Sequence, residues 1–375
     1  MTAEQAGIAL TVDEREKLLL APCAMFSCDS SGREFPEAGH FYRGPYSRDR
    51  DRILHSSAFR RLSGKMQVFT GQMGDYHRTR LTHTFEVATI ARTIARGLRL
   101  NEDLVEALAI MHDIGHPPYG HAGEDVLHEC IKDQGGFSHN QFALTIVKEI
   151  EIRYTQQKGL NLTHEVLDGQ VARIDKDADK PRPLLEVQLV DAADSTTYDA
   201  HDTDDALKLG LVTLEEMREI PLIDEIVSDL ECGSQKLNSH QMRKAVVYQL
   251  INRQVTNMVE HCSKQLREHS FTSSKEACAS RFLIEPDPEL CQKKSQLESF
   301  LYERVYRHQD LIKVRKEAQN RVRQLFEGLV KNPQLMPERY QGRAEINGIE
   351  RSVAEFIAGM TDHYCDEFFQ ANFAN

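Results

Sequence analysis

The chain has 375 residues, 40% of them apolar and 28% charged, with a formal net charge of −12. That length supports a substantial core in at most two domains. The acidity repels a nucleic-acid backbone, so there is no strong nucleic-acid signal and a dedicated DNA-binding protein is disfavoured. No apolar run is long enough to span a membrane, and Met1 to Gly7 is polar where a secretory leader would be basic and then apolar, so a soluble cytoplasmic protein with no membrane partner is expected.

Residues 1–40 read as an irregular lead-in with one short helix over 13–20, ended by Pro22. A helix is expected from Ser47 to Leu62, with Ile53, Leu54, Ala58, Phe59 and Leu62 facing inward. Arg48, Arg50 and Arg52 alternate with acids there and read as surface ion pairs of little consequence. Arg60, Arg61, Lys65 and Gln67 follow, then a loop punctuated by Gly71 and Gly74. The next helix, 79–98, carries His83. Val87, Ile90 and Ile94 stand at +4, +7 and +11 from it, so His83 projects along a core-facing line. A further helix starts at Asn101 as N-cap and repeats Leu104, Ala107, Leu108, Met111 and Ile114. Gly115 and Pro117-Pro118 stop it, which leaves His112 and Asp113 in the last turn of an apolar helix.

Helices are then expected over 122–132, with Glu124 in the first turn, and from about Phe137 to Tyr154. The stretch 155–183 is polar and ends in prolines, and is read as a mobile excursion. From Leu184 the chain is helical again. Asp194, Tyr198 and Asp202 are spaced by four there, and Asp191 and Asp205 extend the line by three. Like charges at that spacing oppose a helix, so a nearby cation or ligand is expected. Amphipathic helices over 244–259, 297–316, 319–331 and 350–369 complete an all-α chain. The expected division is a lead-in over 1–40, a catalytic core over 41–215 and a C-terminal helical region over 216–375 packed on it.

The run from Met111 to His121 holds three histidines and an aspartate. An ionised carboxylate at the end of an apolar helix costs on the order of several kcal/mol in desolvation unless a positive group binds it. A divalent metal meets that need, and imidazole with carboxylate suits Zn, Fe or Mn. The alternative is a satisfied His–Asp hydrogen-bonded pair. Seven of the sixteen histidines (77, 83, 112, 116, 121, 128 and 139) fall between 77 and 139, a clustering expected of a site. An αα-hairpin would bring His83 to His112 and Asp113, and the acidic run could supply a fourth carboxylate. The eight cysteines show no CxxC spacing, so reduced thiols are expected rather than a zinc ribbon.

Phe59-Arg60-Arg61-Leu62 through Gln67-Val68-Phe69, Arg80-Leu81-Thr82-His83, the His112-to-His121 stretch continuing to Glu124, and Asp191 through Asp194 and Tyr198 to Asp202 together resemble the HD-domain phosphohydrolases. They look most like the bacterial dGTPase-like deoxynucleoside triphosphate (dNTP) triphosphohydrolases. The stretch 353–362 also resembles that family's closing helix, so the likeness covers about 41–369.

The resemblance implies an HD-type helical fold with a C-terminal extension, and hydrolysis of dNTPs to deoxynucleoside and inorganic triphosphate. It implies one divalent metal on His83, His112, Asp113 and Asp194, with Mg, Mn, Fe, Zn, Co and Ni all open, and an additional Mg accompanying the nucleotide. His121 paired with Glu124 looks catalytic, while His116 and His139 look like phosphate-contacting or auxiliary acid–base residues. Arg80 and Arg61 would meet the triphosphate, and Gln67, Tyr198 and Asp202 would face the deoxyribose. A homo-oligomer built from dimers and a dNTP activator site are further expectations from the resemblance. Two departures stand out: Ser195-Thr196-Thr197 after the metal aspartate, and Asn140 after His139. The competing readings are another HD phosphohydrolase, either a nucleotidase or a cyclic-nucleotide phosphodiesterase, and a non-catalytic dNTP-sensing module.

Overall fold

The computed structural model describes residues 10–67, 78–153, 158–175, 181–233 and 236–374. In chain order the α-helices are α1 (Val12–Leu19), α2 (Pro45–Leu54), α3 (Ser57–Arg61), α4 (Arg80–Leu98), α5 (Glu102–Met111), α6 (His121–Cys130), α7 (His139–Thr145), α8 (His164–Ile174) and α9 (Leu185–Lys208). They continue as α10 (Leu214–Met217), α11 (Pro221–Glu231), α12 (Ser239–His269), α13 (Ser274–Ala279), α14 (Pro288–Leu301), α15 (Gln309–Lys331), α16 (Glu338–Asn347), α17 (Ile349–Ala358) and α18 (Asp362–Asn372). Among the described residues the only β-type pairings are isolated bridges, such as Met66 with Thr79, so the fold is all-α as expected.

The helices that carry the site begin and end where their side chains dictate. Thr79 accepts a hydrogen bond from the Thr82 N–H to open α4, and Arg99 closes it in the left-handed region. Asn101 caps α5 through the Leu104 N–H. Val87, Ala91 and Ile94 of α4 are fully buried, as are Leu104, Val105 and Ala107 of α5. α4 packs against both α5 and α9, so these three helices form the centre of the molecule.

Several expectations need correction. The helix expected from Ser47 to Leu62 is broken at Ser56, whose hydroxyl accepts the Phe59 N–H and starts α3 afresh. Arg52 is not a surface residue: it is buried and donates to the Leu160 and Asn161 carbonyls. The stretch read as a mobile excursion contains α8, with Val166, Leu167 and Gln170 buried; residues 154–157 and 176–180 lie outside the described residues. The expected 297–316 helix is two elements: α14 passes into a π-turn at Tyr302–Tyr306, and α15 starts at Gln309. The expected 350–369 helix divides at Gly359–Thr361 into α17 and α18.

Among the described residues two apolar cores result. The larger gathers α4, α5 and the start of α9 together with Val322, Leu325, Val353 and Ile357 from α15 and α17. The smaller joins Ala200 and Ala206 of α9 to Ile223, Leu250 and Leu297.

Candidate metal and phosphohydrolase site

α4, α5 and α9 converge on one group of donors. His83 lies in the first turn of α4, His112 is the C-cap of α5 with Asp113 next to it, and Asp194 lies in α9. Donor atoms of His83, His112 and Asp113 all fall within 4.8 Å of one another. Asp194 Oδ1 is 3.1 Å from His83 Nε2 and 3.7 Å from His112 Nε2. Around a cation with bonds of about 2.1 Å, ligand atoms lie roughly 3 Å apart, so this spacing suits a divalent ion.

The His112 ring carries the clearest sign of fit. Its Nδ1–H donates to the Ala109 carbonyl at 2.5 Å, which leaves the lone pair on Nε2. That Nε2 is buried and has no hydrogen-bond partner. Burial pushes the His112 imidazole pKa down, so it is neutral and available as a ligand. Burial alone would raise the Asp113 carboxyl, but the Arg80 guanidinium, with His116 and His112, holds it well below the usual carboxylate range. Asp194 is likewise depressed: His112, the hydrogen bond from His83 and the Arg173 guanidinium outweigh its burial. Neutral imidazoles and ionised carboxylates are the protonation states a divalent cation requires.

Arg80 is buried, and its Nη1 donates to Asp113 Oδ2 at 2.9 Å. That leaves Asp113 Oδ1 to face His112 and His116, at 3.6 and 3.2 Å. Gly120, at φ +57°, lets the loop before His121 pass beside Arg80; a Cβ there would lie 2.6 Å from Nη2. Gly115 is needed for a different approach, since a Cβ would lie 2.0 Å from the His139 carbonyl oxygen.

A second group stands beside the first. Glu124 accepts from His121 Nδ1 at 3.0 Å and from His139 Nδ1 at 2.7 Å, and also takes the His139 backbone N–H. These hydrogen bonds override burial and drive the Glu124 carboxyl far down, so it is ionised. The His116 and His139 rings stack with centroids 3.8 Å apart. Burial, with Arg80 and His139 nearby, pushes the His116 imidazole well down. His121 is the exposed member of the group.

A cavity of about 320 Å³ opens beside Asp194, lined by Asn140, Arg173, Asp191, Asp194, Ser195 and Tyr198. The Tyr198 hydroxyl meets that of Tyr306, which also donates to Asp202. Gln67 donates its backbone N–H to the Arg78 carbonyl at 3.0 Å, and its side-chain Oε1 is buried without a partner. Arg61 stands apart from the cluster, beside Tyr340 and Glu151.

The cation expected near the acidic run of α9 is in part supplied by the protein. Arg173 pairs with Asp191 at 2.6 Å and Asp194 at 3.5 Å, Arg78 pairs with Asp205 at 2.9 Å, and Lys294 pairs with Asp199. Arg173, Tyr306 and His201 were not singled out from the sequence. His201 alone left a signal, as a histidine one residue before Asp202 on the acidic line.

Four clustered donors of this kind on packed helices are the mark of an HD domain, and the HD domain family model matches residues 80–199. The model of the phosphohydrolase-associated domain matches residues 284–371. The chain is 39% identical to a deoxyguanosinetriphosphate triphosphohydrolase-like protein of Geobacter metallireducens, over 94% of this chain and 95% of that protein. Proteins of the same name from Ralstonia pickettii and Leptospira interrogans are 37% and 36% identical, over 92% and 96% of this chain and 92% and 97% of their own lengths. The chain therefore belongs to the deoxyguanosinetriphosphate triphosphohydrolase-like family of HD-domain phosphohydrolases.

Proposed function

We propose that this protein hydrolyses dNTPs to deoxynucleoside and inorganic triphosphate, with one divalent metal on His83, His112, Asp113 and Asp194. The observation that carries this is the meeting of those four donors beside a carboxylate-clamped histidine pair. An ion held there would supply Lewis acidity and make a water more acidic. A dNTP brings about four negative charges, which the site must oppose with positive groups.

His121 is the proposed general acid for the leaving 5′-oxygen. Glu124 takes its Nδ1–H, orienting the ring and stabilising the imidazolium that carries a proton on Nε2. His139, held by the same carboxylate, and His116, stacked on it, are proposed to face the phosphates. Arg80 would hold Asp113 with one nitrogen and meet the triphosphate through its unpartnered Nε. Arg61 is proposed to act at the outer end of the triphosphate. Gln67, Tyr198 and Asp202 are proposed to read the deoxyribose, a role supported by the unpartnered Gln67 Oε1.

The proposed catalytic part is 41–215, preceded by a lead-in over 1–40 and braced by 216–375. A cytoplasmic location, a homo-oligomer built from dimers, a dNTP activator site and an additional Mg with the nucleotide belong to the same proposal, on resemblance alone; light scattering and rates with mixed dNTPs test the oligomer and the activator.

Chromatography of products from each dNTP with Mg or Mn tests the reaction. Deoxynucleoside and triphosphate are expected; dNMP with pyrophosphate, or dNDP with phosphate, would reject it. Including NTPs, nucleoside monophosphates and cyclic nucleotides separates the other HD phosphohydrolases. His121→Ala is expected to keep its metal and lose turnover by roughly 10²–10⁴, whereas Asp113→Ala loses both. Unchanged turnover in His121→Ala removes that residue from the mechanism.

A further inference from the structure

His83 is held between two residues of α9 seven positions apart. Its Nε2 faces Asp194 Oδ1 at 3.1 Å, and its Nδ1 faces His201 Nδ1 at 3.3 Å. The other nitrogen of His201, Nε2, lies 2.5 Å from Glu86 Oε2. Glu86 sits one turn after His83 on α4, so the chain of contacts leaves that helix, crosses to α9 and returns. His83 and His201 are both buried, while Glu86 is exposed to solvent.

Donor and acceptor rules fix the direction of this chain. An ionised carboxylate only accepts, so His201 Nε2 must carry the proton it gives to Glu86. Neutral His201 then has its lone pair on Nδ1. In the absence of an ion His83 Nε2–H donates to Asp194; once a cation takes that proton's place, Nε2 holds the lone pair, and because two ring nitrogens at hydrogen-bond distance need one proton between them, His83 Nδ1 is then the donor to His201. That lone pair points to the side where Asp194 and His112 converge. The second imidazole of the cluster reaches the same state by a different route, because His112 gives its Nδ1–H to the Ala109 carbonyl.

We propose that Glu86 and His201 are positioning residues for the metal centre, a relay that favours the Nδ1–H tautomer of His83 and so turns its Nε2 lone pair to a divalent cation. This rests on the reading of His83 as a metal ligand. Without the relay nothing favours the Nδ1–H tautomer over the one whose Nε2–H bonds Asp194, and that bond competes with the ion. Metal-bound histidines that lose such an outer partner bind their metal about 10–100-fold more weakly.

The test is calorimetric titration of Mn²⁺ into the chelator-stripped full chain, with His83→Ala identifying the heat that belongs to this site. His201→Leu is expected to weaken Mn²⁺ binding roughly 10–100-fold. His201→Gln can accept from His83 through Oε1 and donate to Glu86 through Nε2, so it is expected to stay within about threefold of the parent. Glu86→Ala, at an exposed position where folding is not at stake, is expected to weaken binding by roughly three- to tenfold. Parent-like affinity in both His201→Leu and Glu86→Ala overturns the relay while leaving the metal site intact. Equal losses in His201→Leu and His201→Gln overturn it in favour of a packing role. If the parent takes up no Mn²⁺ that His83→Ala abolishes, the metal reading itself fails and the relay with it.

Discussion

Asp202 shows how far a single position can depart from its ordinary chemistry. Burial pushes its carboxyl up to about 8; Asp205 and Asp199 add to this, and the Tyr306 hydroxyl opposes it. The folded chain therefore binds a proton at Asp202 that the unfolded chain releases near pH 4. Between about pH 4 and 8 the native state holds more protons, so this residue's contribution to stability falls as pH rises and levels off above about 8. Asp202→Asn, neutral and nearly isosteric, should remove that slope. Its stability relative to the parent is expected to improve by on the order of a few kcal/mol from pH 5 to pH 9 in urea unfolding; parallel profiles for the two proteins would refute a neutral Asp202. The sequence marked Asp194, Tyr198 and Asp202 as one line because helix spacing is local. Arg173 pairs with Asp194 and Tyr306 bonds Tyr198 and Asp202 from other elements, and no periodicity reports a neighbour that tertiary packing brings.

Among the helices, those around the metal cluster were legible because their signals are local. Thr79 and Asn101 cap α4 and α5, and the apolar repeats between them are regular. α8 was missed because it reads as polar and carries Gly169 mid-helix. That glycine is where Leu108 and Val187 press closest, at 2.5 and 3.0 Å from a would-be Cβ. Also unreadable was the brace between the C-terminal helices and the loop that leads to His121. Asp362, which opens α18, accepts the Met66 and Tyr119 backbone N–H groups at 2.9 and 3.0 Å. Lys65 donates to the His116 and Ala358 carbonyls at 2.5 and 2.9 Å. Tyr119 sits at φ 60°, a left-handed conformation that a non-glycine residue adopts only when held there. Asp362→Ala strands two backbone donors and should cost roughly 2–4 kcal/mol in chemical unfolding. Because the loop runs on to His121, the same change should lower kcat more than it lowers metal affinity; equal losses of both would place the brace at the metal instead.

At the scale of the whole molecule, the larger core matters most, since it joins helices from the two ends of the sequence around α4 and α5. Val322, Val353 and Ile357 of the C-terminal helices are part of that core's interior. The four donors of the metal cluster come from α4, α9 and the end of α5, so one ion would tie together the helices on which this core is built. An unfolded chain offers no such convergence, and binding free energy then adds directly to folding stability. Free Mn²⁺ at a hundredfold excess over Kd should contribute about 2.7 kcal/mol. The thermal midpoint of the stripped protein should accordingly rise with each increment of Mn²⁺ and fall back on chelation. His83→Ala should show no such rise. A parent midpoint that ignores Mn²⁺, measured by scanning calorimetry at fixed protein concentration, would mean that the three helices do not share an ion.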